Sequence, residues 1–186
     1  MIFTPVDEVP GAWVIEPERI ADSRGWFART FAVDEFAERG LDTRVVQTSA
    51  SFNEAAGTLR GMHLQRDPHG ETKLIRCTHG RAFDVMVDVR PGTPTFGRWA
   101  GFELDPGSGR SVYLPAGVAH GFVTLAPDTE LSYQISAAHV PEAAVGFRWD
   151  DATVAIEWPV PPTTLSDRDR ELPLLAELVA TPEEIR

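Results

Sequence analysis

The chain has 186 residues, 42% of them hydrophobic and 24% charged, a balance that fits one folded domain over residues 1–186 and excludes wholesale disorder. A formal net charge of −11 argues against a polyanionic partner such as nucleic acid, although a local cluster of cations can still take a small anion. No apolar run reaches the length of a membrane span and no basic-then-apolar leader opens the sequence, so a cytoplasmic protein with no membrane partner is expected.

Proline and glycine, 15 of each, cut the sequence into short segments, as in an all-β sandwich or barrel. Residues 34–39, stopped by Gly40, read as a short helix. The stretch Leu59-Arg60-Gly61-Met62-His63-Leu64-Gln65 follows, setting a guanidinium and an imidazole between strand-like hydrophobic runs. Lys73 adds a second cation and is the chain's only lysine, every other one of the 17 basic residues being arginine. Such a bias marks Lys73 as a place where a compact ammonium suits better than a planar fork. The lone cysteine, Cys77, has no partner for an internal disulfide and, between Arg76 and Thr78, reads as inert packing.

Residues 82–89 alternate apolar and acidic side chains up to the turn Arg90-Pro91-Gly92 and read as a strand. Further strands are expected at 99–104, 111–114, 121–125 and 130–135, separated by turns at 105–109, 115–117 and 126–128. The segment 158–162, with three prolines, reads as an extended arm leading to helical structure that includes residues 172–179. No internal repeat or linker divides the chain. The expected class is mostly β: a cupin-like antiparallel β-barrel or jelly roll with a few short helices, mainly C-terminal.

No glycine-rich nucleotide fingerprint, Walker loop or Gly-x-Ser-x-Gly elbow occurs, so no NAD, ATP or serine-nucleophile chemistry is indicated. Two segments carry chemical potential: 60–63 with Lys73, and Pro115-Ala116-Gly117-Val118-Ala119-His120-Gly121-Phe122. The second, with two turns and then a histidine at a strand start, resembles the second motif of cupins, which often bind metal. A metal cupin supplies two closely spaced histidines from its first motif, whereas this chain offers His63-Leu64-Gln65 there. Two imidazoles alone would leave a transition metal under-coordinated; Gln65 or Glu71 could add a ligand, but no metal is expected.

A closer resemblance runs through nearly the whole chain. The ordered motifs Arg24-Gly25-Trp26-Phe27, Leu59 to His63, Lys73-Leu74-Ile75-Arg76, Phe83 to Asp88, Pro94-Thr95-Phe96-Gly97, Pro115 to Phe122, Tyr133, Trp149-Asp150-Asp151 and Ile156-Glu157-Trp158-Pro159 resemble the dTDP-4-dehydrorhamnose 3,5-epimerase family. The resemblance implies a metal-free, cofactor-free cupin-like barrel acting on a nucleotide-diphosphate sugar. It also implies a homodimer in which an N-terminal segment covers the neighbour's site. By the same resemblance His63 is the base that removes a proton next to the sugar ketone, and Asp169 holds its other nitrogen. Lys73 then sits by the carbonyl oxygen and Tyr133 returns a proton from the opposite face. A histidine suits the base role because its unperturbed pKa lies near operating pH, and a fixed cation lowers the energy of the developing oxyanion. Arg24, Arg60 and Arg168 match diphosphate contacts, and Gln47 and His120 match other ligand positions.

Each residue also has a plainer reading. His63 can be a core histidine and Tyr133 a packing residue, while Asp169, three after Ser166, fits a capping box. Tyr113 looks structural, and Asp84 and Asp88 are expected to serve the fold. The sequence departs from the family pattern at Arg29, where a glutamate is usual, at Thr48-Ser49-Ala50-Ser51, at His139, where a tyrosine overlies the ligand, and at Ala144. The reaction core is therefore better supported than the identity of the sugar or base. The rivals are a metal-dependent cupin enzyme and a non-catalytic sugar-nucleotide binding module.

Overall fold

The computed structural model describes residues 1–180. In chain order its elements are β1 (Ile2–Pro5), β2 (Trp13–Glu16), β3 (Arg19–Asp22), β4 (Gly25–Ala28), α1 (Val33–Ala37), β5 (Gln47–Asn53), β6 (Leu59–Gln65), β7 (Lys73–His79) and β8 (Ala82–Asp88). These are followed by β9 (Trp99–Leu104), β10 (Ser111–Leu114), β11 (Val118–Thr124), β12 (Thr129–Ile135), β13 (Ala144–Gly146), α2 (Asp167–Arg170) and α3 (Leu175–Ala180). Six strands form one antiparallel sheet, β1-β2-β10-β7-β12-β5, and five form the other, β13-β6-β11-β8-β9. The fold is the cupin-like β architecture expected, with helix confined to short pieces.

Three apolar layers hold it. Ile75, Val112, Leu114 and Leu131 of the larger sheet meet Ala82, Met86, Leu104 and Phe122 of the smaller one inside the barrel. The outer face of the smaller sheet, with Met62, Leu64, Val85 and Val87, is covered by Phe147, Val154, Leu175 and Leu178, and Trp158 packs beside them. On the outer face of the larger sheet α1 seats Phe36 against Ile15 and Tyr113. Tyr113 is structural as expected, its hydroxyl accepting the Asp42 N–H at 2.9 Å. Full burial of side chains the size of Phe36, Phe122 and Phe147 contributes roughly 1.5–3 kcal/mol each.

Because β11 is buried along its whole length, its sequence lacks a clean two-residue alternation. That is why the strand expected at 121–125 proves to begin at Val118. Near the C-terminus the helix expected at 172–179 begins instead at Leu175. Pro173 disfavours helix in the residue before it, and the Asp151 carboxylate accepts the Leu175 N–H at 2.7 Å, fixing the start. The early helix runs over Val33–Ala37, and segment 158–162 is irregular chain leading to a bridge at Thr164 and then to α2. Residues 181–186 of the expected domain lie outside the described residues. No described helix is long and apolar enough to cross a membrane.

Candidate active site

Arg60 and His63 lie three apart on β6, a spacing that regular strand alternation would send to opposite faces. The pairing with β11 explains how they share one. His120 faces His63 and Phe122 faces Arg60, so two residues on β11 span three on β6 and the register shifts between them. This irregularity, one extra residue in β6, re-aims the strand and brings both side chains into the barrel. Gly61 and Gly121 make it feasible. Gly61 has φ +135°, and a Cβ there would come 2.5 Å from the Gly121 Cα.

Across the barrel, β12 lies between β7 and β5. Tyr133 pairs with Ile75 and Ser49, and Ile135 pairs with Lys73. Residues facing each other across an antiparallel pair project to the same side, so Tyr133, Lys73 and Ser49 face the wall formed by His63 and His120. Ser166, Arg168 and Asp169 from α2 complete the rim of a cleft of about 420 Å³ lined by both sheets. An annex of about 180 Å³ shares His63, Lys73 and Arg168 and extends to Glu71, His139 and Ala144.

Asp169 is buried at 3% exposure, and its carboxylate accepts from His63 Nε2 at 2.7 Å and from the Gly61 N–H at 3.3 Å. The Ser166 hydroxyl accepts the Asp169 N–H, so the serine half of the expected capping box forms, while the Asp169 carboxylate turns to β6 instead of back to the Ser166 N–H. Burial alone would raise the Asp169 carboxyl. The His63 hydrogen bond and charge, with the Gly61 N–H, outweigh it and hold the group below the ordinary carboxylate range. An ionised carboxylate accepts only, which places the His63 proton on Nε2 and leaves Nδ1 without a partner among the described residues.

Lys73 Nζ lies 2.6 Å from Glu71 Oε1, both side chains about nine-tenths buried. This partner was not foreseen as such, although its place two residues before the only lysine was a signal. The Tyr133 hydroxyl lies 3.2 Å from Ser51 Oγ. Burial first, with a contribution from nearby Asp84, pushes the phenol far above its usual range, against Ser51 and Arg60, which pull it down. It is therefore protonated at neutral pH. Arg60 reaches Asn53 Oδ1 through Nε at 2.8 Å, and Arg168 contacts the Ala144 carbonyl at 3.4 Å.

His63, Lys73, Tyr133, Asp169, Arg60, His120 and Arg168 are thus brought together. Two expected ligand residues are not among the cleft-lining side chains. Gln47 shares its strand face with Ser49 and Ser51 but stands outside the lining. Arg24 sits on the exposed hairpin of β3 and β4, 87% exposed and paired with Asp22. Asp84 shows the opposite discrepancy. Asp88 serves the fold through Arg90, Thr93 and Thr95, but Asp84 binds His120 at the cleft wall. Among the described residues no group of three or more His, Cys, Asp or Glu side chains is placed to hold a metal ion.

The chain is similar to known sugar epimerases. The family model described as dTDP-4-dehydrorhamnose 3,5-epimerase matches residues 7–177. A dTDP-4-dehydrorhamnose 3,5-epimerase of Sinorhizobium fredii is 42% identical over 166 residues, 89% of this chain and 85% of that protein. A dTDP-4-dehydrorhamnose 3-epimerase of Streptomyces niveus is 41% identical, covering 91% of this chain and 82% of its own length. Among solved structures, a 4-keto-6-deoxy sugar epimerase from the novobiocin biosynthetic gene cluster of Streptomyces spheroides superposes with a TM-score of 0.93 at 38% identity, over 100% of this chain and 92% of that one.

Proposed function

This chain belongs to the dTDP-4-dehydrorhamnose 3,5-epimerase family and is an epimerase, and we propose that it acts on a dTDP-linked 4-keto-6-deoxy sugar with its own side chains and no cofactor. The observation that carries the reading is the His63–Asp169 pair facing a partly buried, protonated Tyr133 across a cleft that also holds the Lys73 ammonium.

A hydrogen on the carbon next to a ketone is weakly acidic, and its removal requires a placed base together with stabilisation of the enolate. His63 Nδ1 takes the proton, and Asp169 on Nε2 holds the ring and stabilises the imidazolium that forms. Lys73 lies where the ketone oxygen gains negative charge, and a fixed cation there favours that charge. Tyr133, on the opposing sheet, delivers a proton to the other face of the carbon and inverts it. Arg60 and Arg168 at the rim suit a diphosphate through charge-assisted hydrogen bonds.

The same proposal takes the β3–β4 hairpin to a second copy of the chain. Ile20 and Phe27 are each 71% exposed on it, and Arg24 does not line its own cleft. In a homodimer these residues would cover the neighbour's site and supply Arg24 to its ligand. Proton NMR of dTDP-4-keto-6-deoxyglucose with enzyme in deuterium oxide tests the assignment. Loss of the C3 signal, the C5 signal or both is expected and counts the carbons addressed. Retention of both signals at high enzyme concentration would refute this substrate.

A further inference from the structure

The cleft contains two histidine–carboxylate pairs, and the proposed reaction uses only one. His63 and His120 face each other across β6 and β11, and each gives Nε2 to a buried carboxylate: Asp169 at 2.7 Å and Asp84 at 2.8 Å. Asp84 lies on β8 opposite Phe122, is wholly buried, and has one oxygen, Oδ1, with no hydrogen-bond partner among the described residues. Removing a carboxylate from water costs several kcal/mol, and an oxygen left unbonded forfeits part of the return. Packing alone does not call for an acid here, since an apolar side chain of similar size would fill the space at lower cost. What the acid does is accept a hydrogen bond from the ring of a cleft-lining histidine.

The His120 ring is 7% exposed, meets Tyr133 edge-on at a centroid distance of 5.9 Å, and lines the cleft. Its Nδ1 has no protein partner among the described residues and is not among the buried unsatisfied atoms. We propose that Asp84 is a positioning residue that holds His120 in the tautomer protonated on Nε2, so that Nδ1 presents a lone pair to a hydroxyl of the bound sugar. In a neutral imidazole one nitrogen donates and the other accepts, so an acceptor fixed behind the ring decides what the front can do. Exposure separates the two rings: His63, at 39%, can meet a reacting carbon, whereas His120 is sunk in the wall and suits a static hydrogen bond. Turning the sugar so that its acidic hydrogen faces His63 requires a fixed contact of this kind.

This inference rests on the epimerase substrate proposed above, and two readings keep their failures apart. Nitrogen-15 correlation spectra of the histidine side chains report the tautomer directly, with the His120 signals assigned by their loss in His120→Gln. The expected wild-type pattern is protonated Nε2 and unprotonated Nδ1, and a wild-type ring protonated on Nδ1 alone overturns the inference. In Asp84→Ala the ring is expected to populate both tautomers, with KM for the keto sugar rising about three- to tenfold, the loss of one neutral hydrogen bond, while kcat falls less. Should that variant fail to fold, Asp84→Leu fills the space without offering an acceptor and is read by the same two measurements. A folded variant with unchanged KM, or with the wild-type tautomer, also overturns the inference. Absence of solvent exchange in the wild type would sink the substrate assignment and leave the tautomer to be judged from the spectra.

Discussion

Replacing Asp169 by asparagine removes the charge behind His63 with almost no change of shape. The carboxylate now accepts twice, from His63 Nε2 at 2.7 Å and from the Gly61 N–H at 3.3 Å. An amide has one accepting and one donating end, so no orientation serves both partners. With its oxygen on Gly61, the NH2 group meets Nε2 and forces the ring proton onto Nδ1, the atom that must accept from carbon. With its oxygen on His63, two donors face each other at Gly61. A buried donor left unpaired costs about 1–3 kcal/mol, so the first orientation wins and the base is held in the wrong tautomer. The expected result is a fall in kcat of about 10²–10⁴-fold, the usual range for general acid–base assistance, with KM within about threefold. Steady-state kinetics on the keto sugar, with deuterium uptake as a second readout, measure both. A kcat near wild type, or a loss confined to KM, would refute the orienting role. The wild-type pair also has a pH signature. Asp169 is held below the ordinary carboxylate range, so its contribution to stability is complete above about pH 4 and is lost as pH falls through its lowered value.

Tyr133→Phe should abolish inversion while deuterium still enters at the carbon facing His63, and equal loss of both would assign Tyr133 to abstraction or structure. Gly61→Ala sets a Cβ 2.5 Å from the Gly121 Cα at φ +135°, and strain plus overpacking should cost about 3 kcal/mol or more. Thermal unfolding should show a Tm roughly 6–12 °C lower, and a shift under about 2 °C would contradict the close approach of β6 and β11. Cys77, buried and pushed up to about 11 by that burial, should resist a disulfide reagent at pH 8 in the native protein and react once unfolded. Rapid native labelling would contradict its place in the core.

The strands from β8 to β12 were legible because turn residues punctuate them and their apolar content is high. The hairpin of β3 and β4 was not, since its apolar side chains point into solvent and leave no buried face to set a period. Within the site, the Arg60-Gly61-Met62-His63 run was conspicuous, but the reason for its spacing was not. Only the register against β11 shows that an extra residue at Gly61 puts Arg60 and His63 on one face. Asp169 lies 106 residues from His63, and no local pattern links them; locally it reads only as a partner of the Ser166 cap. The partner of Asp84 was hidden for a related reason. Apolar and acidic alternation on β8 tells which side faces the barrel, but not that His120 waits there on the neighbouring strand. Conversely Arg24, singled out by motif, stands on a hairpin that leaves its own cleft.

The central claim is that His63 removes a carbon-bound proton next to the sugar ketone. It is tested most directly by deuterium uptake into dTDP-4-keto-6-deoxyglucose, comparing wild type with His63→Ala under identical conditions and checking both for folding by circular dichroism. The account predicts rapid uptake by the wild type and none above background by the folded variant. Uptake at the wild-type rate by His63→Ala would contradict it and move the base elsewhere in the cleft.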